Sequence, residues 1–238
     1  MLEQFNLEKI LFLDIETTSA VKSFDDLSDD FKKHWEHKSK FIAKEDETPN
    51  ETYSKAGIYA EFGKIVCISV GFIKIENGLK KLRLKSYFNH NEKELLIDFF
   101  ELLNKHFNTQ QHILCAHNGK EFDYPYIARR ALVNGLSIPT ILDMAGKKPW
   151  EVQHLDTLQL WKFGDYKHFT SLNLLTTIFD IPTPKDDIDG SMVNQVYWQE
   201  NDLERIANYC QKDVVALTQL FLRFRNEPLI LPNNIIYS

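Results

Sequence analysis

The chain has 238 residues, of which 34 are acidic and 28 are basic, and its formal net charge is −6. This length fits one large α/β domain, because domains typically take about 100–200 residues and α/β domains often run longer. The acidic balance argues against a protein that coats nucleic acid through bulk positive charge.

The cysteines and the apolar runs predict the cellular location of the protein. The three cysteines lie far apart and form no CxxC pair, which predicts reduced thiols in a cytoplasmic protein. The N-terminus lacks a basic stretch followed by an apolar run, so no signal peptide is predicted. No apolar run reaches the roughly 20 residues that a bilayer requires, so no association with a membrane is expected.

The first third of the chain predicts a buried strand, an insertion and a hairpin. Residues 10–16 are apolar on both faces until carboxylates appear, as in a buried strand. Residues 22–55 are rich in charge, and their few apolar residues predict an amphipathic helix and a mobile loop. This insertion is either a solvated surface excursion, which the composition favours, or a lid beside the strand end. Asn-Gly at 77–78 predicts a hairpin with strands at 64–72 and 81–88.

The remaining two thirds alternate helical and strand patterns. Helices are predicted at 91–107, 123–134, 171–179, 193–198 and 201–224, and short strands at 112–116 and 152–155. This order predicts a mixed sheet with one antiparallel strand from the hairpin and helices on both faces. One domain is expected over residues 1–225. A tail at 226–238 leaves the last helix, and its apolar residues either pack back or contact a partner.

The first candidate site is a pair of carboxylates at the end of the first predicted strand. Asp14 and Glu16 are two residues apart, and strand side chains at this spacing project from the same face. Adjacent buried carboxylates repel each other unless a cation or a hydrogen-bond donor compensates them. The pattern alone fits either a metal site or a strand that ends in solvent.

The second candidate is the stretch CAHNGKEFDYPYI at 115–127. A short strand there ends in polar residues and glycine, and a helix begins at Asp123. A purely structural interpretation is open, because Asp is a favoured N-cap and Asn118 suits a turn. The alternative is that Asp123 projects into the same cleft as Asp14, since ligands of α/β sheets bind where helices begin beside strand ends.

The third candidate lies early in the long C-terminal helix. Tyr209 and Asp213 are four residues apart and therefore share one helix face. The next residues on that stripe, Ala216 and Leu220, are apolar, so this face is expected to turn inward. Taken alone, the pair is explained by a Tyr–Asp hydrogen bond at the rim of the core.

The three candidates give a specific signal for a metal site only when they are considered together. Together they supply four carboxylates from three segments: Asp14, Glu16, Asp123 and Asp213. Four clustered carboxylates cannot all stay ionised without cations, and oxygen ligands favour Mg²⁺ or Mn²⁺. Two such ions suit in-line displacement at phosphorus. The phenol of Tyr209 is expected to orient a water molecule more than to deprotonate it, because its ordinary pKa is near 10.

At these residues the sequence resembles the DEDD superfamily of 3′→5′ exonucleases, which have a ribonuclease H-like fold. FLDIETT at 12–18, HNGKEFDYPYIARR at 117–130 and YCQKD at 209–213 are similar to the three family motifs in order. A sister branch has His five residues before the last Asp, where this chain has Asn208, so the tyrosine branch fits. The chain is most similar to predicted exonucleases related to the proofreading domain of family-B DNA polymerases, and EFGKIVCISVG at 61–71 adds to this likeness.

The resemblance implies roles for the candidate residues. Asp14, Glu16 and Asp213 would hold a first divalent ion, and Asp14 and Asp123 a second. Tyr209 would position the attacking water. The site of the terminal nucleotide would be lined by Thr17, Asn118 and Phe122. The family also implies a mixed five-stranded sheet whose second strand is antiparallel, and a nucleic acid 3′ end as substrate, with single-stranded DNA favoured over RNA.

Two features depart from a minimal exonuclease, and two alternatives stay open. The insertion is longer than such a domain needs, and the chain is too short to include a polymerase domain, so proofreading would require an unknown protein partner. Local positive charge is expected from several basic residues, unless they are ordinary surface charges: Arg129, Arg130, Lys147, Lys148, Lys162 and Lys167. The alternatives are an endonuclease of the same fold and a non-catalytic or partner-activated module that binds nucleic acid.

Overall fold

A mixed sheet of six strands is the centre of the fold. The computed structural model describes residues 2–165, 169–182 and 188–237. The strands are β1 (Ile10–Ser19), β2 (Gly63–Glu76), β3 (Leu79–Phe88), β4 (Ile113–Ala116), β5 (Leu155–Asp156) and β6 (Ile235–Tyr237). Their order across the sheet is β5-β4-β1-β2-β3-β6. β2 is antiparallel to both of its neighbours and the other pairs are parallel, so the hairpin supplies the antiparallel strand.

The strand count differs from the five that were expected. The sixth strand comes from the C-terminal tail, which packs back: Leu82 of β3 is the partner of Ile235. Gln219 of the last helix fixes the segment that precedes this strand. Its side-chain amide donates to the carbonyl of Ile230 at 2.7 Å and accepts from the Ile230 N–H at 2.9 Å. A run of three apolar residues carries no periodicity, so the sequence did not predict this pairing.

Helices cover both faces of the sheet. They are α1 (Asp29–Ser39), α2 (Pro49–Thr52), α3 (Glu92–His106), α4 (Asp123–Val133), α5 (Thr157–Lys162), α6 (Leu172–Ile178), α7 (Val193–Gln195) and α8 (Leu203–Phe224), with a π-helical turn at Val196–Glu200 after α7. α3 and α4 pack on one face around Leu11 and Leu13. α8 packs on the other face around Phe12, and we call this the α8 face. The sequence did not predict α5. Among the described residues, no helix has the length and apolar character to cross a membrane.

The charged insertion is more ordered than predicted. The predicted amphipathic helix is present as α1, and in place of the predicted mobile loop the chain forms α2 and a 3₁₀ turn at Tyr53–Ile58, packed around Trp35. α1 begins only at Asp29, because the Ser28 side chain accepts a hydrogen bond at its N-terminus. The hydroxyl of Tyr126 donates to the carbonyl of Gly57 at 2.7 Å. The insertion is therefore packed onto the domain near the end of β1.

A buried ion pair joins the elements around the start of β2. The Arg130 guanidinium donates to both carboxylate oxygens of Glu92, at 2.6 to 3.1 Å, and to the carbonyl of Ala60 at 2.8 Å. The same carboxylate accepts from the Ile65 N–H at 2.7 Å. Arg130 therefore stabilises the fold, and neither alternative raised for it, a positive charge beside the substrate or an ordinary surface charge, is correct. Lys167 lies outside the described residues.

Candidate active site

β1 carries the first two candidate carboxylates on the α8 face. Asp14 is paired with Ser69 of β2, and Glu16 with Cys67. A β-bulge follows, because the register shifts between Glu16 and Thr17. Bulges redirect the side chains beside them and often occur next to functional sites. Glu16 is only 7% exposed and Asp14 is half-buried, so neither simply ends in solvent.

α8 brings a thiol to the same two carboxylates. The Cys210 Sγ lies 3.3 Å from Asp14 Oδ2 and 3.4 Å from the Asp14 carbonyl oxygen, where it donates. One ligand atom each from Asp14, Glu16 and Cys210 lie within 4.8 Å of one another. Sequence reasoning treated this cysteine only as a reduced thiol. Its position three residues before Asp213, on the same side of a helix, was the available signal that it lies near the site.

Asp123 approaches β1 from the start of α4. It is 3% exposed, and the backbone N–H of Ile15 is hydrogen-bonded to its carboxylate. Burial raises the pKa of Asp123 to about 7, and repulsion from Asp156 adds to this rise. The N-cap of α4 is Phe122, which makes no side-chain capping bond. The structural interpretation of Asp123 as the N-cap therefore does not account for its position.

Tyr209 and Asp213 lie one turn apart on α8, and both are half-buried. The Tyr209 hydroxyl is hydrogen-bonded to the Asp213 carboxylate. Burial raises the pKa of Tyr209 far above its ordinary value, and repulsion from Asp213, Glu16 and Asp14 raises it further. The tyrosine therefore stays protonated at any ordinary pH and interacts electrostatically with three of the candidate carboxylates.

The carboxylates raise one another's pKa. Burial raises the pKa of Asp14 well above its ordinary range, and repulsion from Asp213 and Asp123 adds to the shift. Burial also raises the pKa of Glu16, and repulsion from Asp14 and Asp213 adds to it. The largest effects on both groups are burial and neighbouring acidic groups, and the lowering effect among them is the Cys210 hydrogen bond to Asp14. Buried acidic oxygens that repel one another fit a divalent cation such as Mg²⁺ or Mn²⁺.

Two of the three residues predicted to line a nucleotide subsite are sequence neighbours of the acidic cluster. Thr17 follows Glu16, and Phe122 precedes Asp123. The Phe122 ring lies 5.3 Å from the ring of Tyr126 and is half-buried. Asn118 has a left-handed backbone with φ of 64°. Their role toward a nucleotide stays a prediction.

Asp156 holds the loop before α4, and sequence reasoning missed it. Its carboxylate is 2% exposed and accepts four backbone N–H groups. Two come from the loop, Asn118 at 3.0 Å and Lys120 at 3.1 Å, and two from the start of α5, Leu158 at 2.9 Å and Gln159 at 3.2 Å. The signal was an aspartate directly after a short strand, where an N-cap of a further helix is expected.

Comparison with known families identifies a related group. A family model described as "Predicted 3'-5' exonuclease related to the exonuclease domain of PolB" matches residues 58–228. The matched range includes Asp123, Tyr209 and Asp213, whereas Asp14 and Glu16 precede it.

Individual relatives are distant and much longer. A DNA polymerase of Pyrococcus glycovorans is 22% identical over 147 residues, which cover 56% of this chain and 18% of that protein. The structure of the family B DNA polymerase from the hyperthermophilic archaeon Pyrobaculum calidifontis matches with a TM-score of 0.54 and 13% identity, over 90% of this chain and 24% of that one. At this identity the likeness concerns the fold, which is that of a mixed α/β sheet covered by helices.

Proposed function

The chain belongs to the family of predicted 3′-5′ exonucleases related to the exonuclease domain of PolB, and we propose that it is a metal-dependent enzyme of this kind. It would remove nucleoside 5′-monophosphates from the 3′ end of single-stranded nucleic acid, with DNA preferred over RNA. We assign it to the tyrosine branch of the DEDD superfamily, since Tyr209 precedes Asp213 by four residues.

The observation that supports this proposal most is the mutual repulsion of acidic groups from separate segments. The pKa of Asp14 is raised by both Asp213 and Asp123, besides burial, so the three carboxylates lie close enough to interact. A protein gains nothing in stability from such an arrangement, because each buried carboxylate that ionises there costs free energy. Acidic clusters of this kind are typical of sites that bind cations.

Asp14, Glu16 and Asp213 are the residues we propose for a first divalent ion, and Asp14 and Asp123 for a second. Bound ions would neutralise the carboxylates and stabilise the negative charge that develops on a phosphodiester. Since the carboxylates come from β1, α4 and α8, the site depends on the packing of α8 against the sheet.

Tyr209 is the residue we propose to orient the attacking water. Because its pKa is raised, the hydroxyl stays protonated and acts through hydrogen bonds, and it does not serve as a base. Thr17, Asn118 and Phe122 would contact the terminal nucleotide, with Phe122 offering its ring face to the base.

The proposal is tested with 5′-labelled single-stranded DNA and RNA of the same sequence. Each strand is incubated with Mg²⁺, with Mn²⁺ and with EDTA, and the products are separated by length. We expect a ladder that shortens from the 3′ end with either ion, none with EDTA, and faster shortening of DNA. Asp14→Asn should abolish the ladder, because it removes a ligand proposed for both ions.

The matched control is Asp30→Asn, an exposed aspartate on α1 that should leave the ladder unchanged. A folded wild-type protein that leaves every strand intact while binding it would favour the non-catalytic or partner-activated module. Equal activity of Asp14→Asn and the wild type would overturn the assignment of the site.

A further inference from the structure

Lys64 lies on the same sheet face as the candidate carboxylates. It is the second residue of β2 and is paired with Thr18 of β1. Directly opposite residues of antiparallel strands project to the same face, and alternate residues along β1 share a face. The extra residue of the bulge is Val66 of β2, because Glu16 is paired with Cys67 and Thr17 with Ile65, so β1 keeps its alternation. Thr18, Glu16 and Asp14 therefore project to the α8 face, and Lys64 projects with Thr18.

Contacts to the segment at 193–200 agree with this placement. Thr18 Oγ1 donates to Asn194 Oδ1 at 2.6 Å, and Lys64 Nζ donates to the Tyr197 hydroxyl at 2.9 Å. The same segment packs against Cys210 of α8, which contacts Asp14. The Lys64 ammonium therefore borders the candidate active site on the side of β2.

Aromatic groups fix the position of this ammonium. Its Nζ lies 4.7 Å from the ring centroid of Tyr197 and 4.9 Å from that of Trp198. The Tyr197 hydroxyl also lies 2.9 Å from His90 Nδ1, and the two groups share a hydrogen bond. One ammonium N–H is used in the bond to Tyr197, so two donors remain for a ligand.

Several lysines of the described chain form ion pairs with acidic residues, and Lys64 is not one of them. Lys55, Lys74 and Lys81 each form an ion pair with a glutamate. Within the described ranges, no carboxylate forms an ion pair with Lys64. The Lys64 ammonium is fixed in position and has N–H donors left over, so it is suited to bind a phosphate. It would also offset the repulsion between the acidic groups on this face and a nucleic acid strand.

We propose that Lys64 binds the phosphodiester next to the scissile one, on its 5′ side, in a nucleic acid strand. Lys64 is opposite Thr18 on the neighbouring strand, and Thr18 is two residues after Glu16. The Cα atoms of Glu16 and Lys64 are therefore about 8 Å apart. The ammonium is directed to Tyr197, so it serves a neighbouring phosphate and not the one at the carboxylates. This inference rests on the proposed function and defines the strand's path at that same site.

The test compares two substrates that differ by one phosphate. A dinucleoside monophosphate carries only the scissile phosphodiester, whereas a trinucleoside diphosphate also carries its 5′ neighbour. In Lys64→Met the ratio of kcat/KM on the longer to that on the shorter substrate should fall about tenfold, as expected for one lost charge-assisted hydrogen bond. Methionine keeps an apolar stem against the aromatic rings, and Lys64→Arg should restore most of the ratio.

The matched control is Lys74→Met, at the other end of β2 and paired with Glu8, which should leave the ratio unchanged. An equal loss on both substrates would show that Lys64 only supports the fold and would overturn the inference, as would an unchanged ratio. Thermal melting of each variant verifies that it folds.

A binding measurement separates this inference from the proposed function. Fluorescence anisotropy of a labelled oligothymidylate, without divalent ions, gives the dependence of log Kd on log salt concentration. Lys64→Met should reduce that slope by about 0.7, the value for one phosphate contact on a single strand. If the wild type binds the strand but does not cleave it, the proposed function is wrong, and the slope still tests whether Lys64 contacts a phosphate. An unchanged slope contradicts a phosphate contact.

Discussion

At the scale of single residues, the site combines acidic groups that resist ionisation with a tyrosine that resists deprotonation. Burial raises the pKa of Asp14, Glu16 and Tyr209, and their mutual repulsion adds to each rise. Such a site favours cations strongly, because a bound cation removes the cost of ionising the carboxylates. The tyrosine can then contribute only hydrogen bonds.

The variant Tyr209→Phe tests this role. It should slow turnover by about ten- to a thousandfold, the range for one lost positioning contact, while the thermal midpoint stays close to that of the wild type. Measurement of kcat under saturating strand and Mn²⁺ gives the comparison. Wild-type turnover in this variant would show that the hydroxyl has no part in the reaction.

Asp123 predicts how the metal-free protein responds to pH. Its folded pKa of about 7 lies above the ordinary 3.8, so the stability that it contributes is present below about pH 4 and is lost as the pH rises through 7. Asp123→Asn removes this loss. At pH 8 in EDTA the variant should unfold about 3–10 °C above the wild type, and at pH 5 the difference should be much smaller.

Thermal melting between pH 5 and pH 8 provides the measurement, with Asp30→Asn as the exposed control. Addition of Mg²⁺ at pH 8 should reverse the order, since the wild type gains a ligand that the variant lacks. A constant difference between Asp123→Asn and the wild type across this pH range would contradict the assigned shift.

At the scale of elements, the loop before α4 is shaped by its neighbours. Asn118 has a left-handed backbone, and Gly119 has no room for a side chain, because a Cβ there would lie 2.4 Å from the Cβ of Ala116. The Asp156 carboxylate then fixes the loop to the start of α5 through backbone N–H groups. Together they set the direction in which α4 presents Asp123.

Asp156→Ala should lower the free energy of unfolding by about 2–4 kcal/mol, because four backbone N–H groups lose a buried acceptor. Urea unfolding measures the loss. The matched control is Asp202→Ala, in which α8 loses a cap that accepts only the Arg205 N–H, at a cost of about 1 kcal/mol. If Asp156→Ala costs no more than Asp202→Ala, the anchoring role is wrong.

Regular elements were predictable wherever a local pattern was strong. The hairpin at Asn77 and Gly78 and the helix capped by Asn91 follow from turn and capping chemistry, and the structure has both. The insertion was less predictable. Its core joins Trp35 of α1 to residues of a separate 3₁₀ turn, Tyr53 and Ala56, which share no period with the helix in the sequence.

At the scale of the whole molecule, motif spacing indicated which residues to examine, and packing determined their neighbours. Asp14 and Asp213 are far apart in sequence, and only the position of α8 on the sheet brings them into electrostatic contact. The same packing adds Cys210 to the cluster and Lys64 to its border. No local pattern indicates the Lys64 contact, and the spacing of Cys210 from Asp213 does not indicate its contact with Asp14, so sequence reasoning assigned no role to either residue.

The chain spans 18% and 24% of the lengths of the two polymerases that it resembles. Its own core contains the full sheet and the helices that carry the acidic groups. We therefore propose that residues 1–225 act as one exonuclease domain. The strand β6 adds residues of the predicted tail to the edge of the same sheet.

The most direct test of the central claim is to incubate linear and circular single-stranded DNA of the same sequence with Mn²⁺ and to identify the products. An exonuclease that acts at 3′ ends should convert the linear strand to nucleoside 5′-monophosphates and leave the circle intact. Blocking the 3′ hydroxyl of the linear strand with a bulky group should protect it. Cleavage of the circle into oligonucleotides would contradict the account and identify an endonuclease.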